Sequence, residues 1–114
     1  MRAEADEQVA LVRDSILASI VKEATVKDRF GPFSLGDILN AWLEHDADTV
    51  ATLPDPPGTS GASASQRRNY WFYEGCRALE EGAWIAEVGD GKFAVASLTV
   101  LMSRMLRGEP THQD

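Results

Sequence analysis

The stretch LEEGAWIAEVGDGKFAVA, residues 79–96, decides the fold. It begins as the end of a helix, with Gly82 as the candidate C-cap residue. Residues 84–88 and 92–96 alternate in the manner of paired β-strands. Between them, Gly89-Asp90-Gly91 supplies the positive φ angles that a tight hairpin requires. The sequence therefore predicts a helix that leads directly into a small β-hairpin.

A long helix is predicted near the N-terminus, from about Ala3 to Lys27 within the segment 1–28. Its apolar residues form an i, i+4 row that neighbouring side chains widen into a broad face. This row contains Val9, Val12, Ile16 and Ile20. So much apolar surface exceeds what one small core needs, and we expect the row to contact a second subunit. Gly31-Pro32 ends the helix.

The second helix is predicted to begin after Ser34, which is placed as its N-cap with Asp37 three residues later. Phe33 is expected in a short strand just before this cap. The helix has a one-sided apolar stripe of Leu35, Ile38, Leu39, Trp42 and Leu43. The acidic run 44–48 either ends this helix or starts a short separate helix at Asp46, and the pattern alone does not decide between them.

A third helix is predicted from about Ala62 or Ser65 to Glu81, after an irregular loop over residues 53–65 that is rich in proline, glycine and serine. On a 3.6-residue period, the side expected to pack inward includes Trp71, Phe72, Gly75, Cys76 and Leu79. Gly75 would let a neighbouring helix approach closely. The opposite side carries Gln66, Arg67, Tyr70, Tyr73, Glu74 and Arg77.

A last helix is predicted over residues 97–108, with Ser97 as its N-cap. Its apolar face is a second candidate for the dimer interface. This face contains Leu98, Leu101, Met102 and Met105.

Composition limits the choice of partner and compartment. The 114 residues fit one domain, and no apolar run approaches the ~20 residues of a membrane span. A single cysteine and the lack of a signal-peptide pattern predict a cytoplasmic protein. The net charge is −7, yet no acid lies between Pro56 and Tyr73. Any binding of DNA must therefore come from a local basic patch.

Three segments together resemble winged helix-turn-helix proteins: residues 33–39, 77–85 and 91–95. The resemblance covers about residues 30–96. It implies a mainly α fold with a small β-hairpin, in the order α-α-α-β-β-α with a long N-terminal helix. The winged helix-turn-helix part would span residues 33–96 of a single domain, 1–114. Related domains commonly bind duplex DNA and dimerise through helices outside the motif.

This resemblance predicts a homodimer that binds specific duplex DNA, as a transcriptional regulator or a plasmid or phage DNA-handling protein. The third helix would enter the major groove, with its first residues at the base edges. The predicted contacts are Ser65, Gln66, Arg67, Arg68, Asn69, Tyr70, Tyr73, Arg77 and Lys92. The interpretation depends on Gln66 and Arg67 projecting into solvent as a small basic patch on an acidic protein.

The alternative is a winged-helix module that binds another protein. Tyr70–Tyr73 are four consecutive aromatic residues, and clustered tyrosine, tryptophan and arginine mark protein–protein hot spots. The acidic surface is a second candidate for this role.

No residue pattern favours an enzyme, a metal or a cofactor. Gly91-Lys92 lacks the other residues of a phosphate-binding loop. His45 stands beside acidic residues, but no second histidine or cysteine lies at ligand spacing. Cys76 falls on the inward side of its helix and is expected to be a small buried hydrophobe.

Overall fold

The structure is a computed structural model that describes residues 2–96, with side chains from residue 6 onward. The elements in chain order are α1 (Arg2–Lys27), β1 (Phe33–Ser34), α2 (Leu35–His45), α3 (Ala47–Ala51), α4 (Ala64–Glu81), β2 (Ile85–Gly89) and β3 (Lys92–Val95). The fold is mainly helical, with one antiparallel sheet of strand order β1-β3-β2. The predicted helix 97–108 lies outside the described residues, and so do its candidate dimer contacts Leu98, Leu101, Met102 and Met105.

Helix α1 forms the centre of the helical layer, because both α2 and α4 pack against it. Val12, Ile16 and Ile20 are at most 1% exposed within one chain. The prediction that they contact a second subunit is therefore wrong: the periodicity correctly marks a buried face, but α2 and α4 cover it. Val9 is half-buried and packs against the same core.

Gly75 allows α1 and α4 to approach closely, as the sequence predicts. A Cβ at this position would lie 2.8 Å from Ile16 Cδ1 and 2.9 Å from Val12 Cγ1. Above this contact, the rings of Trp42 and Phe72 stack at 5.8 Å and join α2 to α4. Close backbone approach and aromatic packing together enclose the core.

The start of α2 confirms the predicted cap. Ser34 Oγ accepts a hydrogen bond from the Asp37 amide at 3.0 Å, and the Ser34 amide donates to Asp37 Oδ2 at 3.1 Å. This backbone hydrogen bond to the ionised carboxylate is the main cause that lowers the pKa of Asp37. Both partners of a capping box are thus present.

The acidic run after α2 contains a break and a separate short helix. Helix α2 ends at His45 and α3 begins at Ala47. At the break, Asp46 Oδ2 accepts hydrogen bonds from Ser15 Oγ at 2.5 Å and from Thr49 Oγ1 at 2.8 Å. The break is thus tied to α1 through Ser15, which lies 31 positions before Asp46.

The hairpin forms where the sequence predicts it. Ile85 pairs with Val95, and the register shifts between Glu87 and Gly89. The turn residues 89–91 all have positive φ. Gly82 is the C-cap of α4, as predicted, although the left-handed residue is the following Ala83 with φ 59°. Phe33 of β1 pairs with Phe93, which places the expected short strand beside the hairpin.

Candidate functional site

The solvent side of α4 carries a row of polar side chains at helical spacing. Gln66, Asn69, Tyr73 and Arg77 are all exposed, and we call them the outer face of α4. Tyr73 is 63% exposed, which is unusual for an aromatic side chain in the centre of a helix. The structure thus brings together four of the residues predicted from the sequence.

Ser63 caps the start of α4 and engages part of Gln66. Ser63 Oγ accepts from the Gln66 amide at 3.1 Å, and the Ser63 amide donates to Gln66 Oε1 at 2.8 Å. The side-chain NH₂ of Gln66 takes no part in this capping box. Gln66 is thus exposed as predicted, although its side-chain oxygen is bound to the backbone of Ser63.

Arg67 does not project as predicted. Its side chain is only 28% exposed, and Nη1 donates to the carbonyl oxygen of Ala62. The same nitrogen lies 3.8 Å from Asp55 Oδ1. A contact between Arg67 and a base edge is thus not compatible with this arrangement. The physical reason is an ion pair with a carboxylate from the preceding loop.

We call residues 53–63 the Asp55 loop, because Asp55 organises it. Asp55 accepts hydrogen bonds from the amides of Gly61 at 3.0 Å and Ala62 at 3.1 Å. Trp71 Nε1 donates to the Pro54 carbonyl oxygen at 2.8 Å. The loop is thus fastened over the start of α4. An aspartate that precedes prolines and glycines often accepts nearby backbone bonds, and this was the available sequence signal.

The remaining arginines of α4 differ in their partners. Arg68 is half-buried and donates to Asn69 Oδ1 at 3.2 Å through Nη2. Within residues 6–96, no carboxylate lies at ion-pair distance from Arg68. Arg77 lies 3.4 Å from Glu81 and 3.7 Å from Glu74, and the bond to Glu81 is the main cause that raises the pKa of Arg77.

The other predicted contacts occupy varied environments. Ser65 is exposed in the first turn of α4. Tyr70 is half-buried, its ring meets the Trp71 ring edge-on at 4.8 Å, and its burial raises the pKa of the hydroxyl. Lys92 is exposed at the start of β3 and is the one predicted contact that α4 does not carry.

A second group of charges joins the ends of α1 and α2. Glu23 is 2% exposed and accepts from Arg29 at 3.0 Å, and its other oxygen lies 2.7 Å from His45 Nε2. Lys27 lies 3.7 Å from Glu23 and 2.5 Å from Glu44. We call these five residues the Glu23 cluster. This cluster was not predicted, since Glu23 and His45 lie 22 positions apart in the sequence and no local pattern connects them.

Part of the Glu23 cluster has the geometry of metal ligands. Glu23, Glu44 and His45 offer ligand atoms that all lie within 4.8 Å of one another. Their carboxylates, however, already face the side chains of Lys27 and Arg29, which neutralise them. We therefore interpret this arrangement as an ion-pair cluster that joins the ends of α1 and α2.

Cys76 is buried in the core, in agreement with its predicted side of the helix. Burial raises the pKa of its thiol to about 12. A nucleophilic cysteine needs the thiolate form, so this side chain is not prepared for covalent chemistry near neutral pH.

Comparison of the chain with protein-family models, curated proteins and solved structures gives no match. Within residues 2–96, no helix has the length and apolar character needed to cross a membrane.

Proposed function

We propose that this chain is a winged helix-turn-helix domain that binds duplex DNA through α4. The observation that carries the proposal is the outer face of α4, a solvent-exposed row of hydrogen-bonding side chains. The order of elements supports it, since α1, β1, α2, α4 and a β-hairpin occur in the order of winged domains, with the short α3 inserted between α2 and α4. The pairing of β1 with β3 is also typical of these domains.

The chemistry of the outer face suits acceptors in the major groove. The amide oxygens of Gln66 and Asn69 already accept hydrogen bonds, from Ser63 and Arg68. Their NH₂ groups therefore remain to face the DNA. Guanine and thymine present acceptor oxygens in that groove, whereas cytosine presents a donor. We expect a preference for guanine or thymine at the positions nearest these two residues.

Arg68, Arg77 and Lys92 are the candidates for phosphate contacts. The ion pairs of Arg77 are exposed to solvent, and pairs of that kind contribute little to stability. A phosphate oxygen can therefore replace a carboxylate on Arg77 at small cost. Arg67 leaves the set of base contacts because the Asp55 loop holds it.

Binding to random-sequence duplex DNA at low salt, measured by fluorescence anisotropy, tests the proposal. Asn69→Ala and Arg77→Ala are expected to weaken binding, and Arg77→Ala also to lower the salt slope by about 1. Asn40→Ala and Lys22→Ala are matched controls, because these exposed residues lie on α2 and α1. Unchanged affinity in both α4 variants would contradict the assignment. If the variants do weaken binding, selection of bound sequences from random duplex DNA identifies the preferred bases.

A homodimer remains part of the proposal, with a changed interface. Since α2 and α4 cover the apolar face of α1, a dimer would depend on Leu98, Leu101, Met102 and Met105. Two equivalent α4 helices would then read half-sites about 34 Å apart, or a multiple of that. Sedimentation of the full chain, compared with a Leu101→Asp variant, measures the association. A monomer at micromolar concentration would contradict it.

The second candidate function is binding of another protein through the same face. Its support is that Arg67 and Arg77 already have acidic partners while Tyr73 is 63% exposed. An exposed tyrosine beside an arginine is typical of protein hot spots. This alternative predicts no retention on duplex DNA or heparin, and a protein partner that Tyr73→Ala fails to capture. Retention on DNA that Asn69→Ala abolishes would reject it.

A further inference from the structure

The start of α4 is a place where helix geometry favours an anion. Backbone N–H groups point outward there, and the helix dipole adds partial positive charge. In this chain an internal carboxylate already lies beside that position. Asp55 accepts from the amides of Gly61 and Ala62 and lies 3.8 Å from Arg67. Amide groups together with an arginine are also what a DNA phosphate would bind.

The Asp55 loop is attached strongly at its ends and weakly in the middle. Leu53 and Ala62 are buried, and Pro54 holds the Trp71 indole. Between them residues 57–61 are exposed, and a Cβ at Gly58 or Gly61 would meet no atom within 4 Å. The tip therefore has free space around it, and the hydrogen bond from the Gly61 amide to Asp55 fastens its last residue.

The ion pair between Asp55 and Arg67 is one in which another anion can replace the carboxylate. The Asp55 side chain is 36% exposed and that of Arg67 is 28% exposed, so water reaches both groups. Ion pairs in contact with solvent contribute little to stability. A phosphate of the DNA backbone can therefore compete with Asp55 for Arg67.

We propose that the Asp55 loop is an autoinhibitory element, in which the Asp55 carboxylate takes the place of a DNA phosphate on Arg67 and on the amides of Gly61 and Ala62. This inference depends on the proposed DNA-binding function. When the Asp55 side chain turns away, Arg67 and the amides of Gly61 and Ala62 become available to the DNA backbone. The same loop then sets how tightly the domain binds nucleic acid.

Asp55→Asn tests this inference, because it removes the charge but keeps an oxygen that accepts from the loop amides. We expect roughly tenfold tighter binding to duplex DNA, the effect of one added charge-assisted contact. The salt slope should steepen by about one phosphate contact. Asp48→Asn is the matched control, since it removes an equal charge from an exposed position on α3. An equal gain in both variants would overturn the proposal, because net charge would then explain it.

Arg67→Ala completes the design. Alone, it should change DNA affinity little, since Arg67 is already occupied by Asp55. In the Asp55→Asn background, it should remove the gain. A gain that persists in the double variant overturns the role of Arg67. If wild type binds DNA through Asn69 but Asp55→Asn adds nothing, only the autoinhibition fails; if neither protein binds, the proposed function fails as well. Thermal unfolding of each variant verifies that it is folded.

Discussion

The Glu23 cluster and the Asp55 loop are both organised around one carboxylate, but they differ in how far that carboxylate is exposed to solvent. In each, one carboxylate gathers donors from another part of the chain. Glu23 is 2% exposed and contacts Arg29 at 3.0 Å and His45 at 2.7 Å. Asp55 is 36% exposed, with one arginine at 3.8 Å. A buried charge cannot lose its partners cheaply, whereas a half-exposed charge can exchange them for water or another ion. The Glu23 cluster therefore stabilises the fold, whereas the Asp55 pair has the solvent exposure that the proposed exchange with a phosphate requires.

The largest expected effect comes from the buried carboxylate. Glu23→Gln keeps the size of the side chain but leaves the Arg29 guanidinium without its main counterion. Loss of one member of a buried pair costs about 3–5 kcal/mol, and the half-exposed position of Arg29 reduces our expectation to about 2 kcal/mol. Urea unfolding at pH 7 measures it. Glu44→Gln, which changes an exposed member of the same cluster, should lose clearly less stability. Equal losses would show that burial does not distinguish the two carboxylates.

The next effect concerns the anchor of the Asp55 loop. Trp71→Phe removes the hydrogen bond to the Pro54 carbonyl and some buried volume, at a cost of about 1–2 kcal/mol. The amides of Gly61 and Ala62 should then exchange hydrogen faster. Trp42→Phe is a matched control, because it breaks the bond from Trp42 Nε1 to Ser15 without touching the loop. Faster exchange at Gly61 in both variants would mean that Trp71 does not anchor the loop specifically.

Features with a local signal were predictable from the sequence. The capping box of Ser34 and Asp37, the glycine turn of the hairpin and the close approach at Gly75 all depend on residues a few positions apart or on one helix face. In each case, local backbone geometry limits which residues fit. The mainly helical fold with its small sheet followed from these elements.

The charge partners were not predictable in the same way. Arg67 is basic and lies on the predicted outward side, yet it forms an ion pair with Asp55, which lies 12 positions earlier. Which groups a loop brings together depends on the loop path, and here that path depends on the Trp71–Pro54 bond. Periodicity likewise identified the buried face of α1, but it does not state which element covers that face. Val12 and its neighbours were therefore assigned to a dimer interface when they belong to the core.

Asp46 is half-buried, and its contribution to the free energy of unfolding should depend on pH. Hydrogen bonds, first from Ser15 and then from Thr49, lower the pKa of Asp46 below its ordinary value of 3.8. A lowered carboxyl pKa contributes stability above the ordinary value, and that contribution is lost as the pH falls through the folded pKa. Asp46→Asn should therefore cost about 1 kcal/mol at pH 7 and clearly less at pH 3 and below. Urea unfolding at several pH values measures the difference. A cost that stays constant with pH would contradict the assignment to the ionised carboxylate.

The smallest expected effect is the coupling energy between Asp55 and Arg67, which can be compared directly with that between Glu23 and Arg29. In a double-mutant cycle, Asp55→Asn and Arg67→Ala should show a coupling energy below about 1 kcal/mol, since solvent reaches both groups. The cycle of Glu23→Gln with Arg29→Ala should give a larger value, because the carboxylate is buried. Urea unfolding in 0.05 M and 0.5 M salt adds a second readout: screening should weaken the Asp55 pair more than the Glu23 pair. If the Asp55 coupling equals or exceeds the Glu23 coupling, the loop is fixed rather than exchangeable. A fixed loop does not open for a phosphate, so the autoinhibition proposed above would not survive that result.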